Sequence, residues 1–160
     1  MAGRVVSPDN LGAWLLKRNA DRSDIAARSA RPGHIDRWCV HPNYRTALMR
    51  PGQRMIFWAS GSGRGHVPGI WGVGWIVGPA AHQPAAPDDL DPRLHVPVMV
   101  ALLAEDHRID RDALRADERL HDLEVFRMPQ GSNPSFVSLP QLRVIEEYIA
   151  WPDPPSMPPG

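Results

Sequence analysis

The chain sets short apolar runs between long polar connections, and its dominant period is that of strands. "GAWLLKRN", residues 12–19, is an apolar run closed by polar residues, which predicts a buried first strand ending near Lys17. Residues 20–34 are polar and hold a Pro32-Gly33 turn, so they connect elements rather than build one. "HIDRWCVHPNYRTALMRPGQ" follows and closes on a Pro-Gly turn at 51 and 52. "RMIFWAS" then reads as a strand and "GIWGVGWIVG" as another, joined by a loop containing Gly61, Gly63, Gly65, Pro68 and Gly69. In the second of these, regular alternation projects Trp71, Val73, Trp75 and Val77 from one face and Ile70, Gly72, Gly74 and Ile76 from the other. Glycines two apart on one face permit sharp coiling, or the close approach of another backbone, at the corner of a small barrel.

Residues 79–95 form a proline-rich connection, and "LHVPVMVALLAE" is a strand apolar on both faces and therefore internal. Asp110 is placed to cap a helix carrying Ala113, Ala116, Leu120 and Leu123 on one side. Ser138 and Gln141 have the spacing of a capping box ahead of a helix that turns Leu142, Ile145, Tyr148 and Ile149 inward. Strands precede helices, with neither a βαβ rhythm nor an internal repeat, which predicts an α+β fold: a small mixed β-barrel flanked by helices. The expected organisation is an N-terminal extension over 1–11, one domain over 12–150, and a proline-rich disordered tail over 151–160.

Composition changes this picture little. At 160 residues and 42% hydrophobic, the chain can bury one core. Its formal charge is zero, but residues 1–75 carry eleven basic against four acidic residues, while 76–160 carry seven against fourteen. The balance argues against strong non-specific binding to polyanions; the basic half either presents a local positive face or is neutralised by the other half in the fold. A single cysteine, Cys39, excludes an intrachain disulfide and fits a reducing compartment. No signal-peptide or membrane pattern is present, so a cytoplasmic protein is expected. Seventeen of the eighteen basic residues are arginine, which suggests a G+C-rich bacterial genome.

Several chemistries fail on the residues. The glycine loop has neither G-x-x-x-x-G-K-[ST] nor G-x-G-x-x-G, and the sole lysine, Lys17, lies elsewhere. Ser60 and Ser62 do not form G-x-S-x-G, because Trp58 occupies the first glycine position. His34, Asp36, Cys39 and His41 have ligating side chains but no second pair to close a tetrahedron, so no metal and no cofactor are expected. Five of six tryptophans, Trp14, Trp38, Trp58, Trp71 and Trp75, lie in the basic half. Filling the core is one role for them; offering a plate on which a flat base stacks is the other. Trp38, beside polar and irregular sequence, suits a pocket better than Trp58 does.

In this order, "WLLKRN" (14–19), "WCVHPNYR" (38–45), "MRPGQ" (49–53), "FWASG" (57–61), "GIWGVGWIVGP" (69–79) and "NPSFVSLPQLRVI" (133–145) make the chain resemble an EVE domain of the PUA superfamily. The resemblance implies a PUA-like barrel and a non-enzymatic module that recognises a methylated or hydroxymethylated base in DNA or RNA. By position, Trp38 resembles the stacking aromatic and Cys39 the residue offering main-chain groups to the base. Lys17, Arg18 and Asn19 would border the pocket, Asn43 and Tyr44 match the family's N-Y motif, and Trp58, Ser60 and Gly61 its second wall. Arg45, Arg50, Arg54 and Arg64, near these in sequence, are the expected phosphate contacts. His41 and Pro42 lengthen the link to Asn43, and Asn19-Ala20 stands where the family often has N-P. The alternatives are a PUA-superfamily enzyme using His66 or His41 as acid/base, and a binder of a free nucleoside.

Overall fold

The computed structural model describes residues 5–19, 37–61, 67–82 and 94–155, and the statements below concern these. One mixed sheet of eight strands runs in the order β2 (Arg37–Val40), β6 (Leu94–Leu102), β4 (Gly69–Ile76), β3 (Arg54–Ser60), β1 (Leu11–Asn19) and β8 (Ser135–Ser138). Two short strands complete it, β5 (Ala81–His82) beside β6 and β7 (Ile109–Asp110) beside β4. All pairings are antiparallel except that of β1 with β3. The expected positions of β1, β3, β4 and β6 agree with these spans, and β6 is internal as its two-sided apolarity requires.

A period of two sorts the side chains onto two faces. Trp14 and Leu16 of β1 and Met55, Phe57 and Ala59 of β3 enter an inner cluster with Trp38 and Trp71. Ala13, Leu15, Ile56 and Trp58 enter an outer cluster with Leu114, Leu142 and Ile145 from the helical side. Apolar on both faces, the sheet covers the outer one with helices and the inner one by curling on itself. The curl is visible in β2, which begins the strand order yet sends the Trp38 ring to within 4.8 Å of Phe57 and its Nε1 to the Lys17 carbonyl. The result is a curled half-barrel, consistent with a PUA-like barrel.

The alternation expected along β4 needs correction. Phe57 faces Gly72 while Trp58 faces Ile70, so Trp71 is the extra residue of a β-bulge. The bulge turns Trp71 to the inner face with Ile76 and sends Ile70 to the outer face with Val73.

The helices are α1 (Arg111–Ala116), α2 (Glu124–Arg127) and α3 (Leu139–Ile145). Asp110 caps α1, its Oδ1 accepting from Asp112 N at 2.7 Å. The helix expected to reach Leu123 stops at Ala116, where the Asp117 carboxylate accepts from Arg119 N at 3.0 Å and Arg119 Nε at 3.1 Å and so caps the turn that follows. Leu120 and Leu123 therefore enter the core from turns, and Leu114, in place of Ala113 or Ala116, is buried. The capping box of α3 forms with both reciprocal bonds, Gln141 N to Ser138 Oγ at 3.3 Å and Ser138 N to Gln141 Oε1 at 3.0 Å. Leu142, Ile145 and Ile149 are buried as expected; Tyr148 instead faces outward and donates its hydroxyl to Asp117.

Chain on either side of 12–150 packs against the domain. Val6 is buried, and its N–H donates to the Tyr44 hydroxyl at 3.0 Å, which brings the N-terminal extension into the core. Trp151 Nε1 donates to Gly74 O at 2.8 Å and Trp75 Nε1 to Pro152 O at 3.0 Å, so the start of the expected tail is docked on β4. No helix among the described residues is long and apolar enough to cross a membrane.

Candidate functional site

At the end of β1 the inner-face parity of Trp14 and Leu16 continues to Arg18, whose Cζ lies 4.5 Å over the centroid of the Trp38 ring. Trp38 is 2% exposed. Phe57 meets it edge to face at 67°, and its Nε1 donates to Lys17 O at 3.1 Å. The pocket expected at Trp38 is therefore not open: the Arg18 guanidinium lies over the ring, and the indole is closed to a ligand in this conformation. A cation over an indole is favourable by about 0.5–2 kcal/mol, more as water is excluded, so the closure has a physical cause.

The opposite side of this junction is held by Asn133. Its Oδ1 accepts from Lys17 N at 2.7 Å, and its Nδ2 donates to Lys17 O at 2.9 Å and Cys39 O at 3.4 Å. Its own carbonyl accepts from His41 N at 2.8 Å. One side chain thus fastens the ends of β1 and β2, which share no ladder. Lys17 Nζ donates to the Gly131 carbonyl, and burial pulls its ammonium below the ordinary lysine range, with the charge of Glu124 opposing the shift. Asn133→Ala is expected to cost about 2 kcal/mol, since it leaves the Lys17 N–H without its acceptor; the midpoint and slope of urea unfolding measure it.

Lys17, Arg18, Trp38, Cys39 and Ser60 do come together here. Ser60 Oγ donates to Arg18 O at 3.4 Å, and Asn19 pairs with Ser60 across β1 and β3, with Gly61 next in the chain. Cys39 is a half-buried free thiol opposite His95. Trp58 is not part of the group: it lies on the outer face, 5.7 Å from Phe126, so it cannot wall a recess beside Trp38. Asn43 Oδ1 accepts from Arg45 N at 2.8 Å and shapes the turn before Thr46–Leu48, while Tyr44 spends its hydroxyl on Val6.

Two of the expected phosphate contacts are corrected. Arg45 makes a bidentate pair with buried Glu124, at 2.5 and 2.9 Å, and donates to Pro134 O at 3.2 Å. Arg54 lies over the rings of Trp75 and Trp151, with Glu146 at 3.7 Å. Arg50 is exposed beside the 51–52 turn; Arg64, like Ser62, His34, Asp36 and His66, lies outside the described residues.

Sequence reasoning missed Asn133 as the fastener and Arg108, whose Cζ lies 3.9 Å over Trp71. No local pattern marks Arg108; the pairing of Ile109 with Ile70 brings it there. A separate surface hollow of about 420 Å³, lined by Arg119, Asp122, Ser138, Pro140, Gln141 and Val144, lies on the α3 side of the sheet.

The sequence model of the EVE domain family matches residues 12–147. Among solved structures, a hypothetical protein from Leishmania major superposes with a TM-score of 0.62 at 19% identity, covering 88% of this chain and 96% of that one. A protein of Rhodopseudomonas palustris gives 0.63 at 18% identity, with 86% and 92% covered. One of Pseudomonas syringae gives 0.60 at 19% identity, with 84% and 97% covered. These likenesses show a shared fold. No curated protein matches the chain.

Proposed function

Because this chain belongs to the EVE domain family, whose members are generally PUA-like binding modules, we propose that it binds a methylated or hydroxymethylated base in DNA or RNA, without catalysis, at Trp38. The observation that supports this reading is the Trp38 ring face. Although the ring belongs to the inner core, the Arg18 guanidinium lies over it, so the side chain over the indole is a polar planar group whose place a flat ring could take. Stacking on an indole contributes about 1–3 kcal/mol, enough to offset much of the cost of extruding a base. Lys17, Asn19, Cys39, Ser60 and Gly61 supply the polar border of the site, and Arg50 and Arg64 the phosphate contacts. Arg45, paired with buried Glu124, and Arg54, laid over two indoles at the surface beside Glu146, are withdrawn from that role.

Oligonucleotides carrying methylcytosine, hydroxymethylcytosine or methyladenine, titrated against their plain counterparts, test the reading. One modified strand is expected to bind at least about tenfold tighter. Trp38→Leu, which keeps apolar volume in the core, is expected to weaken that binding by roughly 5- to 150-fold, the equivalent of the lost stacking. Equal affinity of the wild type for modified and plain strands would end it. With zero formal charge, overall affinity is expected to be modest and to fall with salt.

A further inference from the structure

Resting on that reading, we propose that Arg108 is a phosphate anchor: its guanidinium takes a backbone phosphate of the strand whose modified base lies at Trp38. The ladder brings the two places to one edge of the sheet. Arg18, at the Trp38 end of β1, pairs with Ala59, Ala59 with Gly69, and Gly69 with Asp110, two residues beyond Arg108. On the inner face the rings make the same connection: Phe57 lies 4.8 Å from Trp38 and 6.3 Å from Trp71, and Trp71 is the ring that Arg108 covers.

The group is held ready for an anion. Its Cζ lies 3.9 Å over Trp71, whose Nε1 is bonded to Val67 O at 2.8 Å. The main chain beyond it is fixed by the pairing of Ile109 with Ile70 and by the bond from Arg111 N to Pro68 O at 2.8 Å. Stacking occupies the face of a guanidinium and leaves the N–H groups at its edge to meet a phosphate. Those groups are unspent: the Arg108 side chain makes no hydrogen bond or ion pair among the described residues, and its Nε is buried without an acceptor. The acidic residues next to it in sequence are turned elsewhere. Asp110 caps α1, Asp112 lies 3.7 Å from Arg111 Nε, Asp106 lies 4.0 Å from His107, and Glu105 is exposed. A side chain already ordered over an indole also loses less freedom when the anion arrives.

The test changes the protein and the ligand together. Wild type, Arg108→Gln and Arg108→Lys are titrated over a salt series with the modified strand that wild type prefers and with its plain counterpart. The modified nucleoside, which has no phosphate, is titrated alongside, and melting curves establish folding. Arg108→Gln is expected to bind both strands about 5- to 15-fold more weakly, leaving the preference for the modified one unchanged. The slope of log affinity against log salt is expected to shrink by about 0.7–0.9, the share of one phosphate, and the nucleoside to bind as before. A single neutral methylphosphonate linkage, moved along the strand from the modified base, is expected to cost wild type a similar factor at one position and to cost Arg108→Gln nothing there. Arg108→Lys, a point charge without the planar fork, is expected to keep the slope and lose about 2- to 5-fold; if the glutamine variant does not fold, unchanged affinity in the lysine variant overturns the anchor. Unchanged strand affinity in folded Arg108→Gln, a loss with no change in slope, or an equal loss for the nucleoside also overturns the anchor and leaves the base-binding reading standing. Absence of wild-type binding to nucleoside and modified strands alike overturns both.

Discussion

Exchange of Glu124 for glutamine is expected to lower the free energy of unfolding by about 3–5 kcal/mol, the usual cost of breaking a buried ion pair from one side. The Glu124 side chain is 6% exposed and that of Arg45 12%, so water does little to screen the loss. Both carboxylate oxygens meet the guanidinium, and Oε1 also accepts from the buried N–H of Phe136 at 3.1 Å. The pair thereby ties the turn after β2 to α2, 79 positions on, and to the start of β8. Glutamine keeps an acceptor for Phe136 and removes the countercharge, which isolates the charge term. Urea unfolding reads the effect, and a double exchange, Arg45→Met with Glu124→Gln, is expected to recover part of it because no uncompensated charge remains. A loss below about 1 kcal/mol would mean that the pair behaves as a surface one.

The second large effect is expected at Gly74. A Cβ built there would stand 1.8 Å from the Met99 carbonyl oxygen, and backbone cannot yield as a side chain can. Gly74→Ala must push β4 and β6 apart at the centre of the sheet, with an expected loss of about 3 kcal/mol or more. Gly72 is the internal control. Its added Cβ would meet the Val100 Cγ1 methyl at 2.9 Å, which a rotamer change relieves in part, and the Ala101 carbonyl oxygen at 3.1 Å, which needs a shift of only a few tenths of an ångström, so Gly72→Ala is expected to cost about 1–2 kcal/mol. Thermal unfolding of the two variants ranks them; equal losses would contradict the assigned cause.

The same comparison shows what could be read from the sequence alone. Glycines two apart do mark a close backbone approach, and the limits of β3 and the capping box at Ser138 and Gln141 follow from local pattern. Local pattern does not carry the bulge at Trp71, which depends on how β4 registers against β3, nor the early end of α1, decided by a side chain bonding its own turn. At the candidate site, the gathering of Lys17, Arg18, Trp38 and Cys39 came from family resemblance, and no periodicity could have supplied it. Asn133 escaped because its partners lie 116 and 94 positions away. Arg45 and Arg54 were misread for a related reason: proximity in sequence to a site says nothing about whether a carboxylate or an indole elsewhere in the fold has claimed the charge.

Most of the six tryptophans owe their places to their N–H groups as much as to their bulk. Five of them donate to an internal oxygen: Gln53 for Trp14, Lys17 for Trp38, Val67 for Trp71, Pro152 for Trp75 and Gly74 for Trp151. The last two form a reciprocal exchange between β4 and the chain after α3, with Arg54 over both rings. A shortened chain ending at residue 150, the boundary that proline content invites, would forfeit that exchange, bare the Trp75 ring and deprive Arg54 of one of its two aromatic supports. The central strand is latched from the carboxyl end, and any trimming or fusion that respects the fold has to begin beyond Pro152.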